Sequence, residues 1–178
     1  MIYSFYFMLM SAHRQAFLEV NLQKDFRTIS KLGEGAFGSL FKAEIMSPTT
    51  RTLLGFDQVA IKYYKPPTGK SREDAVAEFQ HEAAVVFLLQ STCTNIVKFV
   101  GCSMEPMAMV MKSYPVSLLD YIKNCQAFPT IRGSGKLLGL VLDMLNGLEA
   151  VHEYGLCHRD IKYAYCHTFI GRFTDSQI

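Results

Sequence analysis

Leu32-Gly33-Glu34-Gly35-Ala36-Phe37-Gly38-Ser39-Leu40 carries three glycines at G-x-G-x-x-G spacing, inside an alternating apolar pattern that runs over residues 26–42. Alternation with period two marks a strand and glycines in its middle mark a turn, so the stretch predicts two strands joined by a glycine-rich hairpin. The same spacing serves dinucleotide folds, but there the glycines open a helix whose N-terminus receives a pyrophosphate. Here a second strand follows instead, with Leu40 and Phe41 apolar again. Glycines between two strands can cover phosphates from above with backbone N–H groups, or can simply make a tight turn. Taken alone, the motif leaves both readings open.

Working outward, residues 56–63 are β-branched and aromatic around Val59 and Ile61 and predict a third strand, with Ser47, Pro48, Thr49 and Thr50 marking a loop before it. After a Lys65-Pro66-Pro67-Thr68-Gly69 breaker, residues 71–89 have helical spacing. Phe79, Ala83, Val86 and Leu89 or Gln90 share one stripe, and Ser71 with Asp74 makes an N-cap box. Residues 96–102 and 107–111 predict two more strands. From Ser113 the pattern turns helical: a short helix around Leu118, Leu119, Tyr121 and Ile122, then a long one over residues 136–153. In the long helix Leu137, Val141, Leu145, Leu148 and Val151 or His152 are expected to face a core. The expected fold class is α+β, with five antiparallel strands and one helix ahead of a helical part. The expected divisions are an N-terminal extension (1–25), a sheet unit (26–112), a helical unit (113–162) and a divergent tail (163–178).

Composition excludes several function classes. Of 178 residues 49% are hydrophobic and 19% charged, and the net charge of +2 is spread without like-charge runs, so no stripe for nucleic acid is expected. The apolar start, MIYSFYFMLM, is shorter than the ~20 residues a bilayer helix needs, and it lacks a basic leader and a small-residue cleavage site. The five cysteines are scattered and odd in number, with no C-x-x-C, which points to a reducing, cytoplasmic setting. Cys157, His158, Cys166 and His167 match no common zinc spacing.

Val59-Ala60-Ile61-Lys62 sets a lysine in an apolar strand. An inward-facing ammonium needs a counter-charge, because desolvating it alone costs several kcal/mol. Nucleotide phosphates and Glu82, on the helix that follows, are the two candidates; a solvated edge-strand lysine is the alternative. His158-Arg159-Asp160-Ile161-Lys162 follows the long helix. A loop aspartate beside a substrate hydroxyl can accept or orient its proton, and a lysine two residues on can neutralise charge on a transferred phosphoryl group.

These three motifs, in this order and on these elements, resemble the eukaryotic protein kinase family over roughly residues 26–162. The resemblance implies a kinase small lobe followed by the start of a helical large lobe. It implies that Gly33, Gly35 and Gly38, with Phe37 at the tip, cover ATP phosphates, and that Leu40 and Ala60 roof the adenine. Lys62 would position the phosphates with Glu82 as its partner, Met111 would guard the back of the pocket, and residues 112–114 would form the adenine strap. Asp160 matches the catalytic aspartate. Lys162 looks like the serine/threonine-type loop, while TNIVKFVGC and SLLDYIK are similar to the tyrosine-kinase-like branch. Val86, Phe99 and His158 fall where the family stacks a buried spine. The implied cofactors are ATP and Mg²⁺, and the implied partner is a protein substrate or docking protein.

The departures begin after Lys162. Where the family has Pro and a metal-binding Asn, this chain has Tyr163 and Tyr165, and Cys166 and His167 replace the apolar floor of the adenine site. A phenol does not replace an amide oxygen around an ion that wants near-octahedral oxygens at short range. No D-F-G follows, the one later aspartate being Asp175. The expectation is therefore impaired phosphoryl transfer. A non-catalytic binding module, and a natural product that continues through D-F-G, remain the open alternatives.

Overall fold

The computed structural model describes residues 19–35, 38–115, 117–123, 134–158 and 161. They fall into two compact units: one contains the sheet and most of the helix bearing Glu82, and the other comprises residues 88–97 and the helical part from Ser113 onward.

The sheet unit follows the expected strand pattern. β1 (Phe26–Gly35) and β2 (Gly38–Ile45) are the two arms of the glycine hairpin, followed by β3 (Gln58–Tyr64), β4 (Phe99–Met104) and β5 (Met107–Lys112). All neighbours are antiparallel, in the order β1-β2-β3-β5-β4. β4 starts at Phe99, three residues later than the apolar run suggested.

Period-two alternation assigns each strand residue to a face. Ala43, Ile45, Val59, Ile61, Val100, Ala108 and Val110 build one core layer, covered by Leu22 and Phe26 from the chain that enters β1. That entering segment is tied down along its length. Val20 N–H donates to the Cys102 carbonyl (3.0 Å), and a short helix α1 (Leu22–Asp25) is capped by Asn21, whose side chain accepts from Lys24 N–H (3.0 Å). The opposite face carries Phe99, Cys102 and Met109 against Phe79 and Ala83 of the helix bearing Glu82.

Residues 47–50 correct the sequence reading. They are not a loop but the start of a helix, α2 (Pro48–Leu54), which Ser47 caps by accepting from Thr50 N–H and Gly55 closes at φ 74°. Ser, then Pro at the first helical position, then Gly past the end is a helix punctuation, and in a seven-residue helix it is all the signal there is.

Gly38 shows why the hairpin needs glycine there. Its φ is 145°, and a Cβ on it would sit 1.9 Å from the Tyr63 carbonyl oxygen of the paired strand. At Gly33 a Cβ would meet nothing within 4 Å. Gly38→Ala should therefore lose at least about 2 kcal/mol in urea denaturation, while Gly33→Ala stays within about 0.5 kcal/mol. Equal losses would contradict this geometry.

α3 (Arg72–Thr92) carries the expected cap: Ser71 Oγ accepts from Asp74 N–H (3.1 Å) and donates to its carboxylate (2.9 Å). Ala75, Phe79, Ala83 and Ala84 are buried, Phe79 and Ala83 against the sheet.

In the second unit, α4 (Leu118–Lys123) and α5 (Ser134–Glu153) match the expected helices. The Cys93 thiol lies 3.7 Å from the Asn146 carbonyl of α5, beside buried Asn95. The buried face of α5 matches expectation at Val151 and differs elsewhere. Leu140, Ala150 and Val151 are buried, whereas Val141 and Leu145 are exposed, with Leu138 and Leu142. Leucines and valines occur on nearly every side of this helix, so periodicity could not select the inward one.

Candidate functional site

β3 is the strand on which the site is built. Ala60 and Lys62, two apart, share one face, and ladder partners across an antiparallel sheet share it too. Leu40 of β2 is the partner of Lys62, and Met111 of β5 is the partner of Ala60. Leu40, Ala60, Lys62 and Met111 thus form one half-buried surface beside the hairpin, where Gly35 faces Gly38 across the turn and Gly33 pairs with Leu40. Apolar residues at one end and an ammonium at the other suit a ligand with a flat apolar part and an anionic tail.

The ammonium is paired. Lys62 Nζ donates to Glu82 Oε1 at 2.5 Å, and the two side chains are 30% and 37% exposed. Glu82, one of the two counter-charges anticipated for Lys62, meets it directly. Glu82 reaches it because Phe79 and Ala83, flanking it on α3, are buried against the sheet and turn that side of the helix inward. A pair this exposed contributes at most about 1 kcal/mol to folding. Its geometry matters more than its strength: it holds an ammonium at the edge of a surface that can take an anion.

A second contact between the same two elements was not anticipated. The Tyr64 hydroxyl donates to Glu78 Oε2, and Lys70 Nζ donates to the same oxygen at 2.7 Å. Lys70 foremost, then Tyr64, holds the Glu78 carboxyl below its ordinary range. Burial, with the Glu78 carboxylate beside it, pushes the Tyr64 phenol up. At neutral pH the acceptor is charged and the donor keeps its proton. Spacing could have flagged the contact, since Tyr64 lies two residues beyond Lys62 on a strand and Glu78 one helical turn before Glu82.

Phe37, Asp160 and Lys162 lie outside the described residues, as do Tyr163 and Tyr165. Val86 packs against the core cluster under α3 that contains Phe99, and His158, in the second unit, is exposed. His158 follows the end of α5. Among the described residues no three His, Cys, Asp or Glu side chains converge as a metal site would require. Nor is any described helix long and apolar enough to cross a membrane.

A family profile described as "Protein tyrosine and serine/threonine kinase" matches residues 26–166. The G-type lectin S-receptor-like serine/threonine-protein kinase CES101 of Arabidopsis thaliana is 31% identical over 146 residues, covering 77% of this chain and 15% of that protein. The serine/threonine/tyrosine-protein kinase HT1 of the same plant is 29% identical over 128 residues, covering 70% of this chain and 32% of its own length. The probable serine/threonine-protein kinase roco5 of Dictyostelium discoideum is 28% identical over 143 residues, covering 78% of this chain and 5% of its own length. The chain thus spans a third or less of these curated relatives.

Proposed function

We propose that this chain, which belongs to the protein tyrosine and serine/threonine kinase family, binds ATP on the sheet unit and, with the residues it has after Lys162, transfers phosphoryl groups poorly or not at all. The observation that carries the binding half is the Lys62–Glu82 pair at the edge of the Leu40, Ala60 and Met111 surface, beside a hairpin whose Gly38 tolerates no side chain.

The division of labour follows from chemistry. The adenine lies against Leu40 and Ala60, with Met111 limiting the depth of the pocket. The backbone of Gly33, Gly35 and Gly38 comes close to the phosphates because no Cβ stands in the way. Lys62, with Glu82 holding it, supplies a fixed positive charge to them. In any residual transfer, Asp160 would orient the hydroxyl of a protein serine or threonine, the acceptor that the relatives' names suggest, and Lys162 would neutralise charge on the group in transfer. A magnesium ion, if bound with the nucleotide, would supply positive charge to the phosphates alongside Lys62. Tyr165 stands where the family uses an amide oxygen, and a phenol is a poorer ligand for that ion.

The test is thermal melting with and without millimolar ATP, beside a radiolabelled transfer assay. We expect stabilisation by ATP, since a ligand that binds only the folded state raises its melting temperature, together with no measurable turnover. Turnover that Lys62→Met abolishes would overturn the impairment, and the absence of any shift with ATP would overturn the binding. Loss of the shift together with self-association would favour a purely protein-docking role.

A further inference from the structure

Two glutamates one helical turn apart on α3 meet two side chains two residues apart on β3. The spacings match. Alternate residues of a strand are separated by about 6.6 Å, and residues four apart on a helix by about 6 Å of rise. Lys62 with Glu82, and Tyr64 with Glu78, therefore sit as successive rungs between a strand and a helix running alongside it in opposite directions. One contact alone leaves the helix free to pivot about it, whereas two fix both its rotation and its register against the strand.

We propose that Tyr64 and Glu78 are positioning residues: their rung locks α3 against β3 and thereby keeps Glu82 on Lys62, so that the ammonium is held ready for a nucleotide polyphosphate. The proposal rests on the nucleotide-binding reading of Lys62 given above.

Several observations support a built device rather than a chance surface contact. The Tyr64 ring packs 5.8 Å from the ring of Phe79, the fully buried anchor of α3, so the phenol is aimed by core packing. Lys70, which reaches the same Glu78 oxygen, comes from the connection between β3 and α3 and is itself turned back by its N–H to the Pro67 carbonyl (3.4 Å). The connection is thus clasped to the helix it leads into. Glu78 accepts from both donors, and the Tyr64 phenol stays protonated to donate.

The contact can be cut without disturbing the packing. Tyr64→Phe keeps the ring and removes the hydroxyl; Glu78→Ala removes the acceptor; Glu78→Gln keeps an acceptor oxygen for Tyr64 and discards the charge. ATP and adenosine affinities of the full chain are measured by calorimetry, beside melting temperatures. We expect Tyr64→Phe and Glu78→Ala each to weaken ATP binding about fivefold, the scale of one net hydrogen bond. Adenosine binding should stay unchanged, and Glu78→Gln should stay close to wild type. Unchanged ATP affinity in Tyr64→Phe, or equal losses for ATP and adenosine, would overturn the proposal. Should Tyr64→Phe fold poorly, Glu78→Ala decides.

A readout without nucleotide separates this proposal from the reading beneath it. The acetylation rate of Lys62 by acetic anhydride, followed by mass spectrometry, should rise in Tyr64→Phe and Glu78→Ala as Glu82 loosens its hold, and equal rates would overturn the rung. If wild-type protein fails to bind ATP, the nucleotide reading falls, and the acetylation rates still decide whether the rung holds Lys62.

Discussion

Phe79→Ala should lose about 3–5 kcal/mol of stability, the usual cost of emptying an aromatic site in a core. Phe79 has no exposed surface and stands between α3 and the sheet, packed with Ala83, Phe99, Cys102 and Met109. Its neighbours on the helix side are alanines, too short to collapse into the space a benzyl group leaves. A cavity would remain, lined by side chains that lose their contacts without regaining water. Against a total stability of about 5–15 kcal/mol for a domain, a loss of this size leaves α3 barely seated. Phe79→Leu, which keeps most of the volume, should cost under about 1.5 kcal/mol. The chain contains no tryptophan, so urea unfolding is followed by near-ultraviolet dichroism of tyrosine, and Tyr64 lies against the mutated site. A loss below about 1 kcal/mol for Phe79→Ala, too small for a core aromatic, would mean that α3 is not held through this ring.

The consequence reaches the site, because Glu82 lies three positions beyond Phe79 on the same helix. Energy stored in an apolar contact is converted into the position of a carboxylate, and the carboxylate into the position of an ammonium. Packing supplies the strength in this chain of contacts, and the polar groups supply the direction.

Where the sequence carries its signal locally, the fold could be read from it. The hairpin follows from glycine spacing within an alternating pattern, β3 from its β-branched residues, and α3 from a period near 3.6 with a Ser71 cap, and all three formed as expected. α2 went unread because seven residues are too few for periodicity, and its only marks, Ser47, Pro48 and Gly55, are also turn residues. The buried face of α5 went unread for the opposite reason, since leucines on all sides give several acceptable faces. The anchoring of residues 19–22 on β4 and the core has no local mark either, because both partners lie far along the chain. The site divides in the same way. Leu40, Ala60, Lys62, Glu82 and Met111 come together as the motif order implied, whereas the Tyr64–Glu78 rung is marked only by matched spacings on two separate stretches, whose pairing depends on how the helix is rotated on the strand. Asp160, Lys162 and Phe37 rest on sequence alone.

Lys62→Met should weaken ATP binding by about 10- to 100-fold and leave adenosine binding unchanged, the scale expected when a charge-assisted hydrogen bond worth about 1.5–3 kcal/mol is lost. Methionine preserves the length and apolar stem of the lysine and removes only the ammonium. The fold should hardly notice, because Glu82 is already 37% exposed and can rehydrate when its partner goes, keeping the stability change within about 1 kcal/mol. Glu82→Gln makes the complementary change: it keeps an acceptor oxygen but no counter-charge, so Lys62 remains available to phosphate and is held less firmly. Its ATP affinity should fall less than that of Lys62→Met. Calorimetric titration of both variants with ATP and adenosine checks the order. If Lys62→Met binds ATP as tightly as wild type, Lys62 is no more than half of a structural ion pair, and the phosphates do not rest on it.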